Sequence, residues 1–203
     1  FDFLMSTKAE YTDKDLLKSK DARKEVARSL AIFSAFAEGV SLYSSFAVLY
    51  SFQMRNLLKG IGQQMKWSVR DESLHSKMGC KLFRHMCEED DKLLDDCRED
   101  IIAAATTMLK AEENYIDKMF ESGDVEGIKA YDLKQFIRKR LNEKLQELGY
   151  FDLGGYFKFE EAAASRLDWF YHLTGGHTHT DFFAVRPTDY SKANEGEDFE
   201  DIW

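Results

Sequence analysis

The segment Ala31–Phe52 constrains the fold of this chain more than any other feature, because Glu38 is its one charged residue among apolar and small side chains. A stretch of that length and polarity predicts a helix that is buried on nearly all sides of its middle. A carboxylate in such a helix needs a partner or a cation, since an isolated buried charge is strongly unfavourable. We therefore expect Glu38 to lie in the core of a helical bundle.

Mostly small residues share the helix face of Glu38, and they would let another helix or an ion come close. They are Ser34, Ala35, Ser41, Leu42 and Ser45. An alternative for each serine is that its hydroxyl satisfies a carbonyl of its own helix.

A second feature, Glu72-x-x-His75, has the spacing of two metal ligands on one helix. A step of three residues leaves the carboxylate and the imidazole about 60° apart on the same face, where both can reach one ion. By itself this spacing is common on solvated helix faces. Its occurrence after a buried Glu38 is what favours a metal site.

Four long helices are predicted, and they indicate an all-α protein. They run from Ser19 or Asp21 to about Leu58, from Gln63 to about Glu88, from Asp91 to Phe120 and from about Glu126 to Leu148. Gly60, Gly62 and Gly149 are interpreted as C-terminal stop signals. The last two helices show no chemistry, and their apolar residues, Tyr131 among them, are interpreted as core.

The net charge and the cysteines limit the class of protein to which this chain can belong. The net charge is −9 and the Lys and Arg residues are scattered among acidic ones, which argues against binding to a nucleic-acid polymer. Glu38 and the many serines interrupt the longest apolar stretch, so we expect no membrane span. The three cysteines, Cys80, Cys87 and Cys97, fall on predicted helices, which favours reduced thiols in a cytoplasmic protein.

The character of the sequence changes after Gly149. His177-x-His179 could bind a metal, although an exposed polar loop explains it more simply. The acidic end, KANEGEDFEDIW, has only Phe199, Ile202 and Trp203 as apolar anchors. Such a tail should become ordered against a partner.

The sequence holds half the ligands of a ferritin-like di-metal carboxylate centre. That centre takes one Glu from each of two helices and one Glu-x-x-His from each of two others. The chain offers one of each, and none of its other histidines follows a glutamate by three residues.

These segments resemble the C-terminal half of the radical-generating small (beta) subunit of class I ribonucleotide reductase. The similarity lies in AFAEGVSLYSSFAVLYSF, in VRDESLHSKMG and in LDWFYHLTGGHTHTDFFAVRPTDYS with its acidic tail. It covers nearly the whole chain from about Ala22. The resemblance implies half of a ferritin-like bundle with extra C-terminal helices over residues 1–185, and a mobile tail over residues 186–203.

The resemblance also implies roles for five residues. Glu38, Glu72 and His75 would bind metal, and Asp71 would hydrogen-bond a ligand on the radical-transfer route. Tyr190 would pass the radical to the large subunit, which reduces ribonucleotides to deoxyribonucleotides. An iron pair is favoured as the cofactor, and manganese or a mixed Mn/Fe pair is the alternative.

Three partners are expected from the same resemblance. The family's first carboxylate ligand, its first Glu-x-x-His and its radical tyrosine precede the position at which this sequence begins. We therefore expect a separate N-terminal fragment of the small subunit, produced by gene splitting, an intein or processing, to carry them. A second copy of the small subunit would complete a dimer, and residues 192–203 would dock on the large subunit.

Two other functions stay open. Two copies of the chain could each supply Glu38, Glu72 and His75 and form a symmetric ferritin-like oxidase or iron-storage module. A non-catalytic helical scaffold could also keep the motif. The C-terminal tail argues against a storage protein. Metal analysis of the protein purified with its native partners would distinguish the scaffold from the two metal-binding alternatives.

Overall fold

The computed structural model describes residues 19–170, and these residues are predominantly helical. Six α-helices occur there: α1 Lys20–Ile32, α2 Tyr43–Met54, α3 Lys59–Glu89, α4 Leu93–Met119, α5 Ala130–Glu147 and α6 Glu161–Ala164. A π-helical turn, Phe33–Ala37, follows α1, and 3-10 turns lie at Phe151–Leu153 and Ser165–Leu167. This part of the chain contains no strand beyond an isolated bridge between Val125 and Ile128, which confirms the all-α prediction.

Helix α1 begins where its capping residue predicts. The Ser19 hydroxyl accepts a hydrogen bond from the Ala22 amide at 3.3 Å and so satisfies one of the free donors of the first turn. The buried face of α1 is formed by the small residues Ala22, Ala27 and Ala31. These allow α1 to pack closely against α4 and α3.

The prediction of one continuous helix from Ser19 or Asp21 to Leu58 is wrong, because the chain breaks its helix around Glu38. The Glu38 amide bonds the Phe33 carbonyl and the Ser41 amide bonds the Phe36 carbonyl, both at 3.0 Å. Each bond spans five residues, so the turn carries one residue more than an α-helix. The residues from Glu38 to Leu42 bulge before α2 resumes a regular helix.

Gly60 and Gly62 do not end a helix, and this prediction is also wrong. The chain turns at Asn56 and Leu58, which adopt left-handed φ values of 62° and 48°. Helix α3 then begins at Lys59 and includes both glycines. Gly62 serves packing, since a Cβ there would lie 2.6 Å from the Cβ of Gln53 on α2.

Helix α3 runs antiparallel to α1 and α2. The pairs of close residues show this direction: Ser34 lies against Gly79, Tyr43 bonds Ser73, and Gln53 lies against Gly62. The elements before and after the π-helical turn therefore lie along α3 and place Glu38 beside its central turns.

The core lies on the side of α3 that faces α4 and α5. It includes Phe83 of α3, Ile101 and Ile116 of α4, and Leu133 and Phe136 of α5. The aromatic ring of Phe170 contacts Tyr43 and Phe136 edge to face and closes this core.

The prediction that Tyr131 belongs to the core is wrong. Its side chain is 53% exposed, and its hydroxyl donates to a carboxylate oxygen of Glu160 at 2.8 Å. The polar end of the ring thus finds a partner at the surface. Among the helices described, none is long and apolar enough to cross a membrane.

Candidate metal centre

Three side chains converge where the bulge after the π-helical turn meets α3. One ligand atom from each of Glu38, Glu72 and His75 can be chosen so that all three lie within 4.8 Å of one another. Glu38 follows the π-helical turn directly, while Glu72 and His75 project from one face of α3. Two carboxylate oxygens and an imidazole nitrogen at this separation can share a divalent cation.

The cluster is open on one side. Glu38 and Glu72 are half-buried and His75 is exposed, so residues 19–170 alone do not enclose Glu38. The described helices cover Glu38 in part, and the rest of its side chain is accessible to solvent. Large apolar residues of the same elements are exposed: Phe33, Leu42, Leu74, Met78 and Leu82, with 41% to 61% of their surface accessible. We call these five residues the apolar rim.

The apolar rim leaves apolar surface exposed on the elements that carry Glu38, Glu72 and His75. Scattered apolar residues are normal on a protein surface, but a group of large ones around polar ligands marks an interaction site.

Negative charge accumulates at the cluster. Burial is the main cause that raises the pKa of Glu38, and the neighbouring Glu72 and Asp71 carboxylates raise it further. His75 acts in the opposite direction. A bound cation would relieve the repulsion among these carboxylates, so the electrostatics fit a cation at this position.

Asp71 lies one helical turn before His75. A carboxylate oxygen of Asp71 is 3.5 Å from Nε2 of His75, and both side chains are more than half exposed. An acidic neighbour of this kind can orient an imidazole ring and select its tautomer. The predicted part of Asp71 in radical transfer stays a prediction.

Gly39 allows the two ligand-bearing elements to approach each other. A Cβ at this position would lie 2.7 Å from the Ser76 hydroxyl oxygen, 2.9 Å from Cε of Lys144 and 2.2 Å from the Ala35 carbonyl oxygen. A side chain here would clash with the backbone of its own segment and with the side chains of Ser76 and Lys144. The glycine next to Glu38 therefore permits this segment to lie close to α3.

Sequence reasoning missed several buried charged residues, of which Glu112 and Arg140 contact α2 or the bulge before it. Glu112 on α4 has a pKa raised to about 7 by burial, opposed in part by a hydrogen bond that Ser44 donates at 2.7 Å. Arg140 on α5 is buried beneath Gly39 and Tyr43. A signal existed for both, because each lies three or four residues from buried apolar residues of its own helix: Met108 and Ile116, and Phe136 and Ile137.

Several predicted features lie outside the described residues. These are Tyr190, the His177-x-His179 pair and the docking anchors Phe199, Ile202 and Trp203. The three cysteines lie within the described part and are free thiols.

Comparison with known proteins gives consistent matches. The family model described as "Ribonucleotide reductase, small chain" matches residues 3–153. A probable ribonucleoside-diphosphate reductase small subunit of invertebrate iridescent virus 3 is 34% identical, over 84% of this chain and 44% of that protein. The corresponding probable subunit of invertebrate iridescent virus 6 is 29% identical, over 89% of this chain and 56% of its own length.

A bacterial relative matches over a longer part of this chain. The ribonucleoside-diphosphate reductase subunit beta of Chlamydia pneumoniae is 23% identical, over 95% of this chain and 54% of its own length. The chain thus spans about half the length of the curated relatives it matches.

Proposed function

Because this chain belongs to the ribonucleotide reductase small-chain family, we propose that it is part of a ribonucleoside-diphosphate reductase small subunit and holds half of its di-metal centre. The observation that carries the proposal is the convergence of Glu38, Glu72 and His75 within 4.8 Å.

The donor set fits the proposed metals. Carboxylate oxygens and imidazole nitrogens suit iron and manganese, and the chain provides no thiolate at this site that would favour a softer ion. We propose an iron pair, with manganese or a mixed pair as the alternative. When bound, the metal pair would supply the oxidising radical that the large subunit uses on ribonucleotides.

The residues of this chain would perform three tasks. Glu38 and Glu72 would bind the metals as carboxylates, and His75 would bind through a neutral ring nitrogen. Asp71 would hold the His75 ring and stabilise its orientation. The apolar rim would exclude water once it is covered, which protects an oxidised species from quenching.

The complement of the site would come from protein that brings a carboxylate helix and a second Glu-x-x-His. These would lie on the same longer polypeptide or on a separate one. We also propose that a second copy of the small subunit completes a dimer, and that residues 192–203 and Tyr190 contact the large subunit. The free cysteines support a reducing, cytoplasmic location.

The test compares the chain with and without that complement. Metal content per chain and the radical signal by electron paramagnetic resonance should both require the complement, and Glu72→Gln should lower both. A lone chain that remains dispersed and holds two irons per dimer would instead favour the symmetric ferritin-like alternative. A complemented chain that binds no metal would reject the proposal.

A further inference from the structure

A buried guanidinium contacts the backbone beside Glu38. Arg140 of α5 is enclosed in the core, and its Nε donates a hydrogen bond to the carbonyl oxygen of Gly39, the residue that follows Glu38. This carbonyl lies in the bulge between the π-helical turn and α2. A charged donor fixes such an irregular segment more strongly than a neutral one.

The same guanidinium lies over the ring of Tyr43. Cζ of Arg140 is 3.3 Å from the ring centroid, and Tyr43 is completely buried. The hydroxyl of Tyr43 lies 2.7 Å from the hydroxyl oxygen of Ser73, in a buried hydrogen bond. Ser73 is the residue that follows Glu72 on α3. A continuous set of contacts therefore joins the neighbour of Glu38 to the neighbour of Glu72.

From these contacts we infer that Arg140, Tyr43 and Ser73 form a clamp that holds Glu38 at a set distance from Glu72 and His75. The inference deepens the proposed function and rests on it. All three would be positioning residues, since each acts through a ligand's neighbour.

The site needs such a clamp for two reasons. Glu38 lies in an irregular segment, whereas Glu72 and His75 lie on a regular helix, so helix geometry alone does not set their separation. In addition, the two carboxylates repel each other when no cation lies between them. Ligands must be held to within about 0.5 Å of their working geometry, which requires support from the residues behind them.

The main test is Tyr43→Phe in the assembled protein, stripped of metal and titrated with Mn(II) alone. The change removes the hydroxyl and keeps the ring beneath Arg140. Affinity for Mn(II) should fall about tenfold, the effect typical of losing a group that supports a ligand. Unchanged affinity would overturn the inference.

The matched control is Tyr150→Phe. Tyr150 is equally buried, and its hydroxyl donates to the Leu94 carbonyl oxygen at 2.8 Å, in the first turn of α4. Tyr150→Phe should lower the melting temperature about as much as Tyr43→Phe does, and it should leave the affinity for Mn(II) unchanged. If both variants weaken Mn(II) binding equally, the effect is a general loss of stability and the clamp is rejected.

Two further variants test the direction of the contacts. Ser73→Ala removes the other half of the same hydrogen bond, so its combination with Tyr43→Phe should weaken Mn(II) binding no more than either change alone. Additive losses would show that the two hydroxyls act separately. Arg140→Lys keeps a donor for the Gly39 carbonyl and should recover part of the affinity that Arg140→Met loses.

A measurement without metal separates this inference from the proposed function. Amide hydrogen exchange over residues 38–42 should be several-fold faster in Tyr43→Phe than in the wild type, and unchanged in Tyr150→Phe. If the wild type binds no Mn(II), the proposed function fails, and the exchange data still decide the clamp. Equal exchange in Tyr43→Phe and wild type would then reject it.

Discussion

The two faces of helix α3 differ in how fully the described chain covers them. On one face Val69, Ser76, Cys80 and Phe83 are buried against the rest of the described chain. On the adjoining face lie Glu72, which is half-buried, His75, which is exposed, and the exposed residues Met78 and Leu82 of the apolar rim. Within the described residues the chain therefore closes its own core on the first face, whereas the second face carries the ligands and stays partly exposed.

This difference separates stability from function within one element. A substitution on the closed face should change the free energy of unfolding, and a substitution on the open face should change metal content or assembly. The chain offers matched positions for testing that separation.

The largest effect should come from neighbouring residues on the two faces. Phe83 is fully buried, whereas Leu82 is 52% exposed in the apolar rim. Phe83→Ala should lower the free energy of unfolding by about 3–5 kcal/mol, because it leaves a cavity. Leu82→Ala should change it by less than about 0.5 kcal/mol. Urea denaturation of both variants measures this, and equal losses would mean that the open face is in fact closed by the chain itself.

The second prediction concerns a carboxyl on the closed side. Glu112 has an ordinary pKa of 4.5 and a folded pKa of about 7, so the folded state binds the extra proton between these values. Stability should therefore fall as pH rises from about 4.5 to about 7, by an amount on the order of 3 kcal/mol. Glu112→Gln should remove this dependence, which urea denaturation at pH 5 and pH 8 would show. A wild-type stability that is flat over this range would contradict the buried, protonated carboxyl.

The third prediction concerns two glycines on either side of the site. Gly39→Ala places a Cβ against Ser76 and Lys144, and overpacking of this kind costs about 1–3 kcal/mol. It should also weaken Mn(II) binding, because the clash displaces the segment that carries Glu38. Gly60→Ala meets no atom within 4 Å and lies on α3, so it should stabilise the protein by about 0.4–1 kcal/mol. Thermal melting and Mn(II) titration distinguish the two, and a neutral Gly39→Ala would refute the close approach.

The smallest effect on stability should come from the open face. Asp71 is 67% exposed, so Asp71→Asn should change the free energy of unfolding by less than about 0.5 kcal/mol. It should leave metal content in place and lower turnover of the complete reductase by about tenfold or more, since it removes the carboxylate beside His75. Full turnover in this variant would remove Asp71 from the mechanism.

The ligand positions could be read from the sequence because each depends on local spacing. Glu72 and His75 share a helix face by periodicity alone, and Glu38 stands out as a charge in an apolar segment. The break at Phe33–Ala37 could not be read in this way. No proline marks it, and its wide turn reflects packing against α3, which no local pattern reports.

The errors at the glycines and at the buried charged residues also arise because local sequence patterns do not report tertiary contacts. Gly60 and Gly62 have the appearance of stop signals, but the actual turn uses left-handed Asn56 and Leu58, an unusual conformation for a leucine. Arg140 and Glu112 were passed over because charged residues are expected at the surface. Their burial follows from tertiary contacts with Tyr43 and Ser44.

The π-helical turn also restricts insertions and deletions in this segment of the chain. Each residue of a helix rotates the following chain by about 100°. Deleting one residue between Phe33 and Ala37 would rotate α2 by about that angle relative to α1. Tyr43 would then no longer point at Ser73, nor Ser44 at Glu112. Substitutions should therefore be tolerated in this segment far more readily than insertions or deletions, which would disrupt the two faces of the bundle together.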